Sequence, residues 1–455
     1  MRIVIVGGGT AGHMALAHVS KHLPSAELIH VFDSRRATIG VGEGTTPDFV
    51  NWLGSVGITV DDLARECQAT RKRGLRFEGW GKHKAVFDHE FLPRSEQAVH
   101  FSASRLPVLL ASRSSFEHID ESVQAILPSG EGSVVMTDSG NSIDAELVID
   151  ARGFGLDPSV ETHRCDWITT DSALVAKFPV TLDLTITRAI ARPLGWIFMI
   201  PLADETSCGY VYNSQISNQL DVRDDFNAFL NREHLPTAGA TFRNLSFPNY
   251  VRREVFDGRV FHIGNCASFL EPLEATAIGV ITLQLQLLMH WQKLLTQGMT
   301  PAVAIDRINR IHEDTLLKVS IFIAWHYAAG TIYDTPFWQN ATDRFQQLQE
   351  VPALAKILQQ FATIQQSAAT ISDTTLAALN TTDDVTGHSL GNLHQEIFGG
   401  YTKLSFAQIA RGLALEISDM AEATTSRRVE RVNEPLSDQE LKATRARRLN
   451  LDSTM

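Results

Sequence analysis

The stretch "RIVIVGGGTAG", residues 2–12, decides the fold. Its first five residues are a β-branched apolar run, which reads as a buried strand. The run passes directly into Gly7, Gly9 and Gly12, a G-x-G-x-x-G with Thr10 and Ala11 inside it. The first glycine allows the tight turn, the second lets backbone approach a pyrophosphate, and the third packs helix on strand. Outward from there, "HMALAHVSKHL" (13–23) carries a helical pattern, and "ELIHVFD" (27–33) is a second apolar run ending in Asp33. Strand, glycine turn, helix and strand make one βαβ unit, with Asp33 at the distance expected of a carboxylate that binds an adenosine ribose. The helix start adds free N–H groups and a positive dipole for the phosphates. A dinucleotide site follows.

Two later segments choose among dinucleotides. "ELVIDARGFG" (146–155) and "RVFHIGNCASFLEP" (259–272) are apolar strands ending in small or polar residues, with Gly264 and Asn265 closing the second. Two extra strands returning to one site suit a long cofactor such as FAD better than NAD. No second complete G-x-G-x-x-G unit is present for a nicotinamide domain.

The rest of the chain sets limits. Its 455 residues can hold two or three units around a large core. Forty Lys+Arg against 52 Asp+Glu give −12, which disfavours general binding of nucleic acid or an anionic membrane. Cys67, Cys165, Cys208 and Cys266 are widely spaced, so neither a disulfide framework nor a metal site is indicated. The start "MRIVIVGGG" leaves no room for a signal peptide, and the expected compartment is the cytoplasm. The apolar stretch "AIGVITLQLQLLMHW" (277–291) is interrupted by Gln284, Gln286 and His290 and is expected to be too short to span a bilayer.

Residues 132–155 read as a hairpin turning at "DSGNS" and then a buried strand, and "TLDLTITRAI", "WIFMIPL" and "SCGYVYN" alternate as strands. Helical patterns dominate 283–330, 339–366 and 403–422, and the charged tail beyond 423 is poor in apolar residues. The expected fold is α/β: a Rossmann-like FAD-binding unit, an interleaved β-rich substrate region and a helical C-terminal part. The division is 1–338 for the first two and 339–455 for the last.

Five further stretches are similar to one family. "GVGEGTTP" (40–47), "RKRGLRFEGW" (71–80), "GYVY" (209–212), "EPLEATAIG" (271–279) and "HYAAGTIYDTPFW" (326–338), in this order, resemble the flavin-dependent halogenases of the tryptophan-halogenase type. The resemblance runs from Met1 to about Trp338. It implies a two-component enzyme: a separate NAD(P)H-dependent reductase supplies reduced FAD, O₂ is consumed, and chloride, bromide or iodide becomes hypohalous acid. The acid then travels inside the protein to a lysine beside an electron-rich aromatic small molecule.

By that resemblance Lys72 handles the oxidant and Glu274 is the acid/base. Thr276 and Ala277 hold the halide on backbone N–H groups, and Gly42 belongs to the flavin site. Lysine suits the task because, unlike arginine, it can shift its pKa. The plain alternative is a surface charge among Arg71, Arg73 and Arg76. For Glu274 the alternative is a first-turn helix residue. Two departures stand out. The family's Ser and Gly are Ala275 and Ala277 here, and its W-x-W-x-I-P is "WIFMIP", keeping Trp196 and Pro201 but placing Phe198 at the second indole. That signature implies a block between flavin and substrate, and Phe198 retains much of the bulk.

His89, Phe91, His100 and Phe101 are candidates for a pocket lining without an assigned role. The rival functions are a flavin monooxygenase that hydroxylates its substrate and a silent flavin-binding protein. Retention of both Lys72 and Glu274 argues against the silent form. The sequence leaves a homo-oligomer open.

Overall fold

The computed structural model describes residues 1–36, 42–81, 86–91, 98–155, 160–182, 185–237, 240–369, 371, 396–398 and 401–413. The expected helix over 403–422 is described as Lys403–Leu413, and the tail beyond 423 lies outside the described residues.

The opening strand Arg2–Val6 is the middle of a five-stranded parallel sheet ordered Val260–His262, Leu147–Asp150, Arg2–Val6, Glu27–Val31, Glu117–Ile119. Its apolar residues Ile3, Val4, Ile5 and Val6 are buried, as a strand covered on both faces requires. The two segments read as extra flavin strands pair in this sheet, where Val6 is in register with Asp150 and Asp150 with His262. Helix Thr10–His22 follows the glycine turn. Hairpin strands Gly132–Thr137 and Ser142–Ala145 pair antiparallel beside Val123–Ser129.

The β-rich region is a seven-stranded sheet: Arg243–Ser246, Ser172–Phe178, Thr206–Tyr212, Gly195–Pro201, Thr187–Arg192, Gly74–Glu78, Val86–Glu90. A three-stranded sheet of Gly42–Gly44, Ala98–Ser102 and Thr70–Lys72 bridges the two larger ones. The chain thus re-enters both regions, as the interleaved reading expected.

Helices Thr276–Thr296 and Pro301–Ala328 supply the next layer. The first has 21 residues, longer than the apolar stretch had suggested and long enough by length alone to cross a membrane. The window that qualifies is 56% buried. Its polar Gln284 is fully enclosed: Oε1 accepts the Gly264 N–H at 2.7 Å, and Nε2 lies 3.2 Å from His312 Nε2.

One continuous apolar cluster includes Phe77, Trp80 and Trp196 of the β-rich region, Phe322 and Trp325 of the long helix, and Phe345, Phe361 and Phe406 beyond residue 339. Phe406 stacks on Trp325 with centroids 5.7 Å apart. All four cysteines are buried and unpaired.

Candidate active site

A cavity of about 880 Å³ lies where the sheets meet. Gly7, Gly9, Thr10, Ala11, Asp33, Gly42, Gly264, Asn265, Trp196, Phe198, Glu274, Thr276 and Ala277 all line it. Residues spread over the first 277 positions therefore converge on one chamber of ligand size.

The glycine turn is shaped for a ligand. Gly7 takes φ +117, and a Cβ there would come 2.4 Å from the carbonyl oxygen of Ala151. A Cβ on Gly12 would come 1.9 Å from the Gly7 oxygen, so Gly12 sits behind the cavity and packs helix on strand. Gly9 has nothing within 4 Å of an added Cβ, which would intrude into the space a pyrophosphate needs. His30 Nε2 lies 2.8 Å from the Gly7 carbonyl oxygen and His13 Nδ1 3.1 Å from that of Gly9, bracing the turn from beneath. These features fit a dinucleotide.

Asp33 lines the cavity beyond the glycine turn. Arg35 donates to both its oxygens at 2.8 and 3.1 Å, and Ser122 donates at 3.2 Å. The bonds from Arg35 hold its carboxyl down at about 2. At the other end Gly264 takes φ +58, and Tyr250 donates to the Asn265 carbonyl. Burial pushes the Glu43 carboxyl, also in the wall, up to about 7.

Lys72 lies just behind this wall. It ends the strand Thr70–Lys72 and is 1% exposed, so it is not a surface charge like its neighbour Arg71. Its Nζ donates to the Thr45 carbonyl at 2.8 Å and sits 5.3 Å from the Phe91 ring centroid. Gly44 lines the cavity, and a Cβ added to it would meet Lys72 Nζ at 3.2 Å and Thr187 Oγ1 at 3.3 Å. One glycine thus separates the ammonium from the nucleotide chamber. Burial lowers the amine to about 7, against the opposing pull of the Glu274 charge. His100, bonded to Thr187 at 2.8 Å, is held neutral by burial, with Lys72 adding to the effect. Pro201 does not line the cavity; its carbonyl accepts from Thr70 Oγ1 at 2.7 Å, two residues before Lys72.

Glu274 is 0% exposed. His89 Nδ1 lies 2.8 Å from its Oε2 and His326 Nε2 3.0 Å from its Oε1. Burial opposes its ionisation, but the two histidines outweigh burial and hold the carboxyl well below its usual range. Glu274 is not an ordinary first-turn residue. It and Ala275 take consecutive left-handed conformations, φ 66 and 57, just before helix Thr276–Thr296. Thr276 and Ala277 open that helix, whose first N–H groups have no partner within it, and both residues line the cavity.

Trp196 and Phe198 are cavity-lining neighbours on one strand, with ring centroids 6.3 Å apart. Trp196 also meets Trp80 edge-on at 6.2 Å.

Several contributors were assigned no role from the sequence, although His326, Tyr327 and Glu271 lie within the quoted motifs. His326 and Tyr327, adjacent at the end of the long helix, grip two carboxylates of "EPLE": His326 takes Glu274, and Tyr327 donates to Glu271 at 2.7 Å. Burial pushes Glu271 up to about 7 even so. Tyr401, from beyond a long interval of sequence, donates to the Glu274 carbonyl at 3.3 Å. His89 had been a candidate without a role; its role is to meet Glu274.

Comparison with known proteins gives the family and the fold. The tryptophan halogenase family model matches residues 2–115 and 96–376, past the last motif quoted above. The tryptophan 7-halogenase RebH of Lentzea aerocolonigenes is 26% identical over 421 residues, covering 74% of this chain and 78% of its own. The tryptophan 6-halogenase ThaL of Streptomyces albogriseolus is 25% identical over 427 residues, with the same coverage. A solved flavin-dependent halogenase from Xanthomonas campestris superposes with TM-score 0.73 at 23% identity, covering 100% of this chain and 95% of that one. At that identity the likeness is one of fold.

Proposed function

The chain belongs to the tryptophan halogenase family and is a flavin-dependent halogenase; from that premise we propose that it uses FADH₂, O₂ and halide to halogenate a free, electron-rich aromatic small molecule, with Lys72 and Glu274 as the working pair. The observation that carries the reading is the placement of Lys72. A buried amine lies one glycine behind the wall of the nucleotide cavity and feels the charge of a buried carboxylate, Glu274, that lines it.

Gly7, Gly9, Thr10 and Ala11 would hold the pyrophosphate end of FAD, with Gly12 packing the helix behind them, Asp33 would hold the ribose, and Gly42, Gly264 and Asn265 the flavin half. When bound, FAD supplies the oxygen chemistry that turns halide into hypohalous acid. The residues of the chain do the rest. The first N–H groups of helix Thr276–Thr296, at Thr276 and Ala277, face where an anion is favoured by the helix dipole. Trp196 and Phe198 stand as bulk in the cavity wall and keep an aromatic substrate off the flavin face.

Lys72, as ammonium, donates to the oxygen of hypohalous acid and polarises the halogen toward the ring. The ring's electron pair forms the carbon–halogen bond while the halogen–oxygen bond breaks, and the oxygen leaves as water with the proton that Lys72 gives up. Glu274, acting as a carboxylate, then accepts the proton from the halogenated ring carbon, whose C–H electrons restore aromaticity. The protein needs a separate NAD(P)H-dependent flavin reductase, and with four unpaired cysteines we place it in the cytoplasm.

The test supplies FADH₂ from an independent reductase with O₂, bromide and a panel of indoles and phenols. Mass spectrometry of wild type should show the paired isotope pattern of a monobrominated product, and Lys72→Ala should show none. A hydroxylated product would make the protein a monooxygenase. Bromination that survives in Lys72→Ala would show that leaked hypobromous acid does the chemistry and would remove Lys72 from the mechanism.

A further inference from the structure

His326 is fully buried in the last turn of helix Pro301–Ala328, and both its ring nitrogens are engaged. Its Nδ1 lies 2.8 Å from the carbonyl oxygen of Phe322, which can only accept. Nδ1 therefore carries a hydrogen. A neutral imidazole has a single N–H, so Nε2 would then present a lone pair to Glu274 Oε1 at 3.0 Å. Against an ionised carboxylate that contact is repulsive.

The other tautomer moves the conflict to Phe322. Flipping the ring puts carbon at both positions and forfeits both bonds. Only an extra hydrogen satisfies the geometry, either on the imidazole or on the carboxyl. His89 needs none, because a neutral ring with hydrogen on Nδ1 already donates to Oε2 at 2.8 Å.

We propose that Glu274 and His326 hold one proton in common at neutral pH, and that His326 is thereby a positioning residue that sets the charge seen by Lys72. The consequence for Lys72 rests on the halogenase reading; the proton count does not. The groups facing Glu274 come from several elements. Lys72 and His89 come from strands, His326 from the long helix and Tyr401 from the C-terminal segment, while Tyr327 beside His326 meets Glu271 of the same loop. Asp48 of helix Pro47–Ser55 acts on Tyr401 through its charge. An isolated charge at this depth is costly, and a proton shared with His326 makes the pair neutral. Glu274 so matched supports the Lys72 ammonium less. With the shared proton removed, the bare carboxylate would keep Lys72 charged to higher pH.

The first test uses the whole protein with ¹⁵N-labelled histidine and ¹³C-labelled glutamate at pH 7.5. His326→Gln identifies the His326 signals. Glu274→Gln identifies the same signals by their change, should the first variant not fold. Two protonated ring nitrogens on His326 support the proposal, as does one protonated nitrogen together with a protonated Glu274 carboxyl in the infrared. A singly protonated ring beside an ionised Glu274 overturns it.

The second test is the pH profile of bromination. In His326→Gln, whose amide still donates to Glu274, the limb set by Lys72 should move up by about one pH unit or more. A rate lowered equally at every pH, with the limb in place, would mean a packing role only and overturn the coupling. A protein that brominates nothing defeats the halogenase reading while leaving the proton count to the labelled spectra.

Discussion

Two buried charge clusters flank the strand Thr187–Arg192, and they are built to opposite ends. On one face Arg188 is clamped by Glu78 and Glu233. Its Nε and Nη2 donate to Glu78 at 2.6 and 2.8 Å, and its Nη1 donates to Glu233 at 2.6 Å. On the other face the adjacent residue Thr187 points into the cavity beside Lys72 and His100, as alternation along a strand requires. The guanidinium fills its donors with two carboxylates and is held charged: burial alone would lower it, but both glutamates raise it strongly. Among the described residues the Lys72 ammonium donates to a single backbone carbonyl, that of Thr45, and burial lowers it to about 7. A saturated cluster fixes architecture. An unsaturated one, with a group that can give up its proton near neutrality, is left for chemistry.

The sharpest way to test that contrast is Lys72→Met, which keeps the volume and removes the amine. Bromination should fall by about 10³-fold or more, the scale of losing one preorganised donor at a reacting atom. Stability should rise. The folded value of Lys72, about 7, lies below its ordinary 10.5, so between those values the unfolded chain binds more protons. Wild-type stability therefore climbs with pH over that window, and the penalty is complete below about 7. The advantage of Lys72→Met in denaturant melts should be largest, on the order of a few kcal/mol, at pH 6 to 7 and should shrink toward pH 10. A variant less stable than wild type at pH 6 would show that Lys72 is structural after all.

Arg188→Met should do the reverse. Breaking a buried pair strands two carboxylates and costs about 3–5 kcal/mol, read as a lowered denaturant midpoint. Protein that remains folded should brominate with an unmoved pH profile, since Arg188 lies across the sheet from the cavity. A shifted profile would join the two clusters electrically and erase the distinction drawn between them.

The same division explains how much was legible in the sequence. The nucleotide half is local. Glycines at fixed spacing, a β-branched strand and an acid one unit further on each carry their reason within some thirty residues, and the fold there matched. The Lys72 chamber is assembled from strand ends at 72 and 89, a loop at 274, a helix end at 326 and a short strand at 401. Lys72 and Glu274 could be named only through family resemblance. His326 sat inside a quoted motif, but nothing in its neighbours says that it meets a residue 52 positions earlier. The pairing is made by packing of the long helix on the β-rich sheet, and packing has no short-range signature. The left-handed pair at Glu274 and Ala275 was equally silent, because neither residue type favours that conformation.

That pair offers the smallest and most local test. A left-handed non-glycine residue costs roughly 1–2 kcal/mol, and the loop keeps this strain because His89, His326 and Tyr401 hold Glu274 from three sides. Ala275→Gly should relieve it and stabilise the protein by up to about 1 kcal/mol, after allowing for the freer unfolded chain. Ala277→Gly, two residues on and already helical, should instead cost about 0.5–1 kcal/mol. The informative readout is the opposite sign of two identical substitutions, measured by denaturant midpoint. Two destabilising results would mean that the turn is unstrained, and that its shape follows from the helix start rather than from the grip on Glu274. With opposite signs, the bromination rate of Ala275→Gly shows what the strain is for. A loop released from left-handed geometry but still gripped by both histidines should keep Glu274 in place and lose little activity, which would assign the positioning to the imidazoles and leave the backbone as their follower.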